Sequence, residues 1–183
     1  MRVLTISGSL RPDSLNTLLL CAAEEQAPAG VELERYQGLA AIPPFHGERA
    51  DAEHDVPGTV QELRDLIAGA DAVLIATPEY NGSIPGVLKN ALDWASTPFP
   101  NNVLRGKPVA VIGASTGGYG GMWAQAELRK VLGITGARVV SGDLSLAKAH
   151  EQFDDLGALH PRHHPRLSGV LDALLAEVQP IAA

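Results

Sequence analysis

The chain has 183 residues, 45% of them hydrophobic and 19% charged, with a formal net charge of −7 from 14 basic and 21 acidic side chains. That length supplies one full core and is short for two, and the composition is that of a globular chain rather than a disordered one. The acidic balance argues against bulk nucleic-acid binding and against a basic membrane-surface patch, but leaves room for a local small-anion site.

The elements read in order as alternating strands and helices. Arg2 to Ser7 is a short apolar, β-branched run and predicts a buried first strand. The loop Gly8-Ser9-Leu10-Arg11-Pro12-Asp13-Ser14 leads into a helix whose face carries Leu15, Leu18, Leu19 and Ala22. Cys21 is the single cysteine, so no disulfide framework is possible, and its apolar neighbours make it a small core residue. Pro28-Ala29-Gly30 ends the helix, and Val31 to Tyr36 alternates apolar and charged residues as a second strand nearer the sheet edge. Gln37 to Pro57 reads as a long surface loop carrying a short helical turn. Val60, Leu63, Leu66 and Ile67 mark a second helix, and Asp71 to Ala76 a third, fully buried strand.

The block Thr77 to Ser83 turns through Pro78, Asn81 and Gly82, and Pro85 sits in the first turn of a helix bearing Val87, Leu88, Ala91, Leu92 and Ala95. Thr97 to Gly106 is a connection, and Lys107 to Gly113 a fourth strand. The glycine-rich loop Ala114 to Gly121 opens a helix from Met122 to Leu132. Ala137 to Val140 is a fifth strand, continued by Leu144 to Leu146 after Gly142. Leu167, Val170, Leu171, Leu174, Leu175 and Val178 form the stripe of a closing helix. The segment His160-Pro161-Arg162-His163-His164-Pro165-Arg166 reads as a solvated, proline-broken connection rather than a metal site.

Five strand–helix alternations specify a parallel sheet with helices on both faces, in one domain over residues 1–183. Alternation alone leaves two doubly wound strand orders open. The first apolar run stops at Gly8-Ser9, too short for a secretory leader, and no segment approaches the roughly 20 apolar residues of a membrane span. A cytoplasmic protein without a membrane partner is expected.

Three loops fall at strand C-termini, where open α/β sheets bind ligands. The first carries Ser9, Arg11, Ser14 and Asn16, with Thr17 at the helix start. A helix N-terminus with an arginine suits a phosphate, and without a G-x-G-x-x-G or Walker pattern a mononucleotide fits better than a dinucleotide or triphosphate. The bland alternative is an ordinary helix capped by Ser14. The other two loops offer backbone, small residues and one aromatic each, Tyr80 and Tyr119, walls suited to a flat heteroaromatic ring. Glu79 is a candidate acid or base, with a solvated or ion-paired loop residue as the alternative, and Tyr80 and Trp94 serve either packing or subunit contact.

The loop Gly8-Ser9-Leu10-Arg11…Ser14…Asn16 and the block Thr77-Pro78-Glu79-Tyr80-Asn81-Gly82-Ser83-Ile84-Pro85-Gly86…Lys89-Asn90…Asp93-Trp94 resemble the NADPH-dependent FMN reductase family, which includes quinone, chromate and azoreductase-like enzymes. The resemblance spans about residues 1–150. It implies a flavodoxin-like fold, strand order 2-1-3-4-5, and a homodimer or homotetramer. It also implies FMN as cofactor and NADPH or NADH as hydride donor. By this resemblance Ser9, Arg11, Ser14, Asn16 and Thr17 hold the FMN phosphate. Pro78, Glu79, Tyr80, Asn81 and Gly82 flank the isoalloxazine, and Ser115 with Gly117 or Gly118 closes its other edge. Hydride transfer is then the cofactor's own chemistry, and no catalytic residue in the strict sense is expected. The acceptor implied is a small molecule: a quinone, a flavin, an azo compound or a metal oxyanion such as chromate. Two rivals stand beside this reading: a flavodoxin-type electron carrier and a flavin-binding regulatory protein, neither turning over NAD(P)H.

Overall fold

A computed structural model describes residues 1–47 and 56–178. The strands are β1 (Arg2–Ser7), β2 (Glu32–Tyr36), β3 (Ala72–Ala76), β4 (Pro108–Ala114), β5 (Arg138–Val139) and β6 (Ser145–Leu146). Between and after them run the helices α1 (Leu15–Glu25), α2 (Gly58–Gly69), α3 (Gly86–Ala95), α4 (Met122–Thr135) and α5 (His164–Ala176).

All pairings between these strands are parallel and the order is β2-β1-β3-β4-β5, with β6 also paired to β4. This is the flavodoxin-like order implied by the family resemblance. Val3 lies beside Leu33 on one side and Ala72 on the other, so β1 is central although it is first in the chain. Strand residues alternate between two cores. Leu4, Ile6, Val73, Ile75, Val109 and Val111 face α2, α3 and α4. Val3, Ala72, Leu74, Ala76, Ala110 and Ile112 face α1 and α5. Because both faces are covered, β3 and β4 are buried at every position, which is why they read as unbroken apolar runs.

The differences from expectation are local. Pro85 stands just before α3 as its N-cap rather than within its first turn. The loop after β2 does contain a 3₁₀ turn, Leu39–Ala41, and residues 48–55 of that loop lie outside the described residues. The histidine-rich segment is not a proline-broken connection. Pro161–His163 forms a 3₁₀ turn and α5 starts at His164, with Pro161 and Pro165 in their first turns. Proline is tolerated there because the first N–H groups of a helix have no intrahelical acceptor. Trp94 is fully buried and packs within the α2–α3–α4 core, so subunit contact is not its role. Among the described residues no helix is long and apolar enough to cross a membrane.

Candidate functional site

The C-terminal ends of β1, β3 and β4 bring the three loops together around a cleft of about 340 Å³. That volume falls within the roughly 300–1,000 Å³ of small-molecule and cofactor sites.

The first wall is the turn from β1 into α1. Gly8 donates its N–H to Ala76 O at 2.8 Å, and a Cβ there would press on Leu88 Cδ2 at 3.0 Å, so a larger residue at this turn would have to push the Leu88 side chain aside. Ser14 caps α1, its Oγ accepting the Thr17 N–H at 3.2 Å. This is the capped helix of the bland alternative, and it does not compete with an anion site. The cap engages the third N–H of the helix, and among the described residues nothing accepts the amides of Leu15 and Asn16, two residues that line the cleft. Ser9 Oγ accepts the Arg11 N–H at 3.3 Å, so its own O–H stays available as a donor.

Arg11 points its guanidinium at Asp13, with Nε to Oδ1 at 3.2 Å and Nη2 to Oδ2 at 3.0 Å. The hydrogen bond from Arg11 holds the Asp13 carboxyl below the usual carboxylate range, and the same bond raises Arg11 above its ordinary value.

Two residues of this wall have other commitments. The Asn16 side chain is buried and grips the end of β4, Nδ2 donating to Ala114 O and Oδ1 accepting Ala114 N–H, each at 2.9 Å. Thr17 donates its hydroxyl to Ser7 Oγ at 2.9 Å and does not line the cleft. They brace the turn from β1 into α1, and their side-chain hydrogen bonds go to Ala114 and Ser7.

The second wall is the loop after β3. Pro78, Glu79 and Tyr80 line the cleft. Tyr80 and Ser83 exchange backbone hydrogen bonds at 3.0 and 3.1 Å across Asn81-Gly82, whose φ angles are 54° and 77°. Positive φ at both central residues is the two-residue I′ hairpin turn, which asparagine and glycine suit best. Asn81 and Gly82 thus form the tip beside the cleft rather than its lining.

Among the described residues Glu79 forms no ion pair, and its carboxylate is already engaged. Its Oε2 accepts the N–H groups of Trp123 and Ala124, each at 3.0 Å. The N-cap position of α4 is Gly121, in the left-handed region and with no side chain to offer. The Glu79 carboxylate therefore caps α4 from another loop, where a negative charge is also favoured by the helix dipole. We expect Glu79→Ala to cost about 1 kcal/mol, read as a Tm lower by roughly 2–4 °C, and Glu79→Gln to cost less because it keeps an acceptor. Indistinguishable melting curves for wild type and Glu79→Ala would remove this cap.

The third wall is the loop after β4. Ala114, Ser115 and Thr116 line the cleft, while the exposed Gly117 and Gly118 do not. Ser115 Oγ accepts the Gly117 N–H at 3.2 Å, and Ser115 N–H donates to Leu146 O at 3.0 Å. Ser115 O and Gly117 O take the N–H groups of Ala149 and Lys148, each at 2.9 Å. This stitching brings in His150, a lining residue that nothing in the sequence singled out. Asp13, Leu15, Ala114 and Thr116 were likewise not foreseen.

The set fits a flavin mononucleotide. The first turn of α1, the hydroxyls of Ser9 and Ser14 and the guanidinium of Arg11 are donors that would suit a phosphate at one end. Pro78, Tyr80, Ala114, Ser115 and Thr116, with Glu79 and His150, line the rest of the cleft.

The profile of the NADPH-dependent FMN reductase family matches residues 1–151. The chain is 42% identical over 131 residues to a 2-hydroxy-1,4-benzoquinone reductase of Burkholderia sp, covering 72% of this chain and 69% of that protein. It is 40% identical over 141 residues to a quinone reductase of Escherichia coli, covering 77% and 74%. Among solved structures, a flavoenzyme NAD(P)H:(acceptor) oxidoreductase from Paracoccus denitrificans superposes with a TM-score of 0.82 at 35% identity, covering 97% of this chain and 96% of that one. With its strand order, its cleft and these likenesses in agreement, the chain belongs to the NADPH-dependent FMN reductase family.

Proposed function

We propose that this chain is an FMN-dependent oxidoreductase that takes hydride from NAD(P)H and delivers it to a small-molecule acceptor, with quinones as the first class to test. The observation that carries the reading is one cleft joining an anion end at Arg11, Ser9, Ser14 and the α1 amides to an opening between Pro78–Tyr80 and Ser115–Thr116. When bound, FMN supplies the hydride acceptance and its onward transfer. The chain's part is to bind, orient and leave one side of the cleft open. Ser9, Arg11, Ser14 and the amides of Leu15 and Asn16 would hold the phosphate. Pro78 and Tyr80 would flank the ring on one side, with Asn81-Gly82 supplying backbone at the tip. Ser115, with the backbone near Gly117 and Gly118, would close the other edge. Asn16, Thr17 and Glu79 act one step back, by fixing the loops that carry these groups.

The same reading makes residues 1–183 one FMN-binding domain, assembled as a homodimer or homotetramer in the cytoplasm. Of Tyr80 and Trp94, the pair weighed for subunit contact, Tyr80 is the one with surface to offer a second copy, 47% exposed at the mouth of the cleft.

The test is an absorbance spectrum of the purified protein before and after anaerobic NADPH. Flavin bands at about 370 and 450 nm that bleach on addition are expected. Bands that persist with both NADPH and NADH would leave an electron carrier or a silent flavin binder. No flavin after incubation with FMN would overturn the cofactor assignment.

A further inference from the structure

Resting on the FMN reading above, we propose that Asp13 is an internal counter-charge of the phosphate site: it holds the arginine fork that a phosphate needs and so loosens FMN, but not unphosphorylated flavin.

The geometry is specific. Asp13 takes the Nε–Nη2 edge of Arg11 with both carboxylate oxygens, at 3.2 and 3.0 Å. That edge is the planar, two-pronged surface by which arginine grips phosphate as well as carboxylate. Both side chains line the cleft. Both belong to one loop with only Pro12 between them, so the pair needs no closure of the fold to form. Their side chains are 69% and 73% exposed, so the pair is water-screened and holds weakly enough to be exchanged.

A phosphate entering beside the α1 amides has two options. It displaces Asp13 from the fork, or it approaches the remaining edge of Arg11 with Asp13 still in place. In both cases a carboxylate is left next to a group carrying about −1.5 to −2 charges at neutral pH. Like charges at that range oppose binding whichever option is taken. Arg11 is the one permanently cationic side chain among the described lining residues, and His150 is the other that carries positive charge when protonated. Riboflavin offers the same ring and no phosphate, and Asp13 is indifferent to it. The consequence is a cofactor held for exchange rather than locked in place.

The experiment uses the full chain loaded with FMN or with riboflavin, diluted stepwise while free-flavin fluorescence is followed to give each Kd. Asp13→Asn is expected to bind FMN about two- to fivefold more tightly at low salt, with the riboflavin Kd unchanged. The gain should disappear near 1 M salt, where the Debye length is about 3 Å. Asp13→Ser, a second neutral variant, should behave alike, and both should melt with wild type because the side chain is exposed. An FMN Kd that is unchanged or raised would overturn the proposal. An equal shift for FMN and riboflavin would also overturn it, because Asp13 would then shape the loop rather than oppose a charge. A wild-type chain that retains neither flavin would overturn the cofactor reading and this proposal with it, and is seen before any variant is made.

Discussion

Trp94→Ala should destabilise the fold by about 3–5 kcal/mol, the usual cost of emptying a large aromatic site in a core. For a chain of this size each kcal/mol lowers Tm by roughly 2–4 °C, so a fall of roughly 6–20 °C is expected. Trp94 sits near the end of α3 with no exposed surface. Its Nε1 donates to Pro43 O at 2.8 Å, and its ring meets Phe45 edge to face with centroids 5.2 Å apart. The indole thus pins the loop after β2 to α3. The hydrogen bond is the smaller part of the loss, because Asn90 Nδ2 also donates to Pro43 O, at 2.9 Å. What truncation leaves is a void between α3, Phe45 and the core, and tightly packed neighbours close such voids only in part. Trp94→Phe, which keeps most of the volume and loses the donor, should cost clearly less. Calorimetry of the two variants separates these contributions. A Tm for Trp94→Ala within 2–3 °C of wild type would show that the neighbours close around the lost ring and that the indole does not pin the loop.

The parts of this molecule that were legible in the sequence are those set by local chemistry. β3 and β4 are covered on both faces, so their residues are apolar without a break and can be read directly. The alternation of strand and helix then places three loops on one edge. Ser14 before an apolar periodic run is a cap by local rules, and Asn81-Gly82 is a tight turn by the same rules. What escaped was long-range. Glu79 caps a helix 44 residues on, and this follows only once Gly121 is seen to occupy the N-cap without a side chain. Asn16 holds Ala114 across 98 residues of sequence, so its amide looked like a ligand group. His150 reaches the cleft because the loop after β4 is stitched to the segment Leu146–Ala149. Helical spacing gave Trp94 a face of α3, but depth depends on what the loop after β2 lays over it. In each case the residue type was visible and its partner was not.

Arg11→Ala should weaken FMN binding by about tenfold and leave riboflavin binding unchanged, since charge-assisted hydrogen bonds to phosphate are the strong ones. The effect is not set higher for two reasons. Arg11 is mostly exposed, so water and salt screen what it contributes. It is also shared with Asp13, so part of its attraction is already spent. The other groups proposed to hold the phosphate survive the substitution: the hydroxyls of Ser9 and Ser14 and the amides at the start of α1 belong to a loop braced by Ser7, Thr17 and Asn16. On the proposed reading the helix N-terminus would keep a basal affinity for the phosphate, and Arg11 would set how far above that the site rises. Two signatures separate this from a general loosening of the loop. The loss is confined to the phosphorylated flavin, and the slope of FMN affinity against salt becomes shallower as one cationic contact is removed. Fluorescence titration of both flavins at two salt concentrations reads both. An FMN affinity within twofold of wild type would move the phosphate away from Arg11. A parallel loss for riboflavin would make the arginine a structural residue of the loop and leave the α1 amides as the anion site.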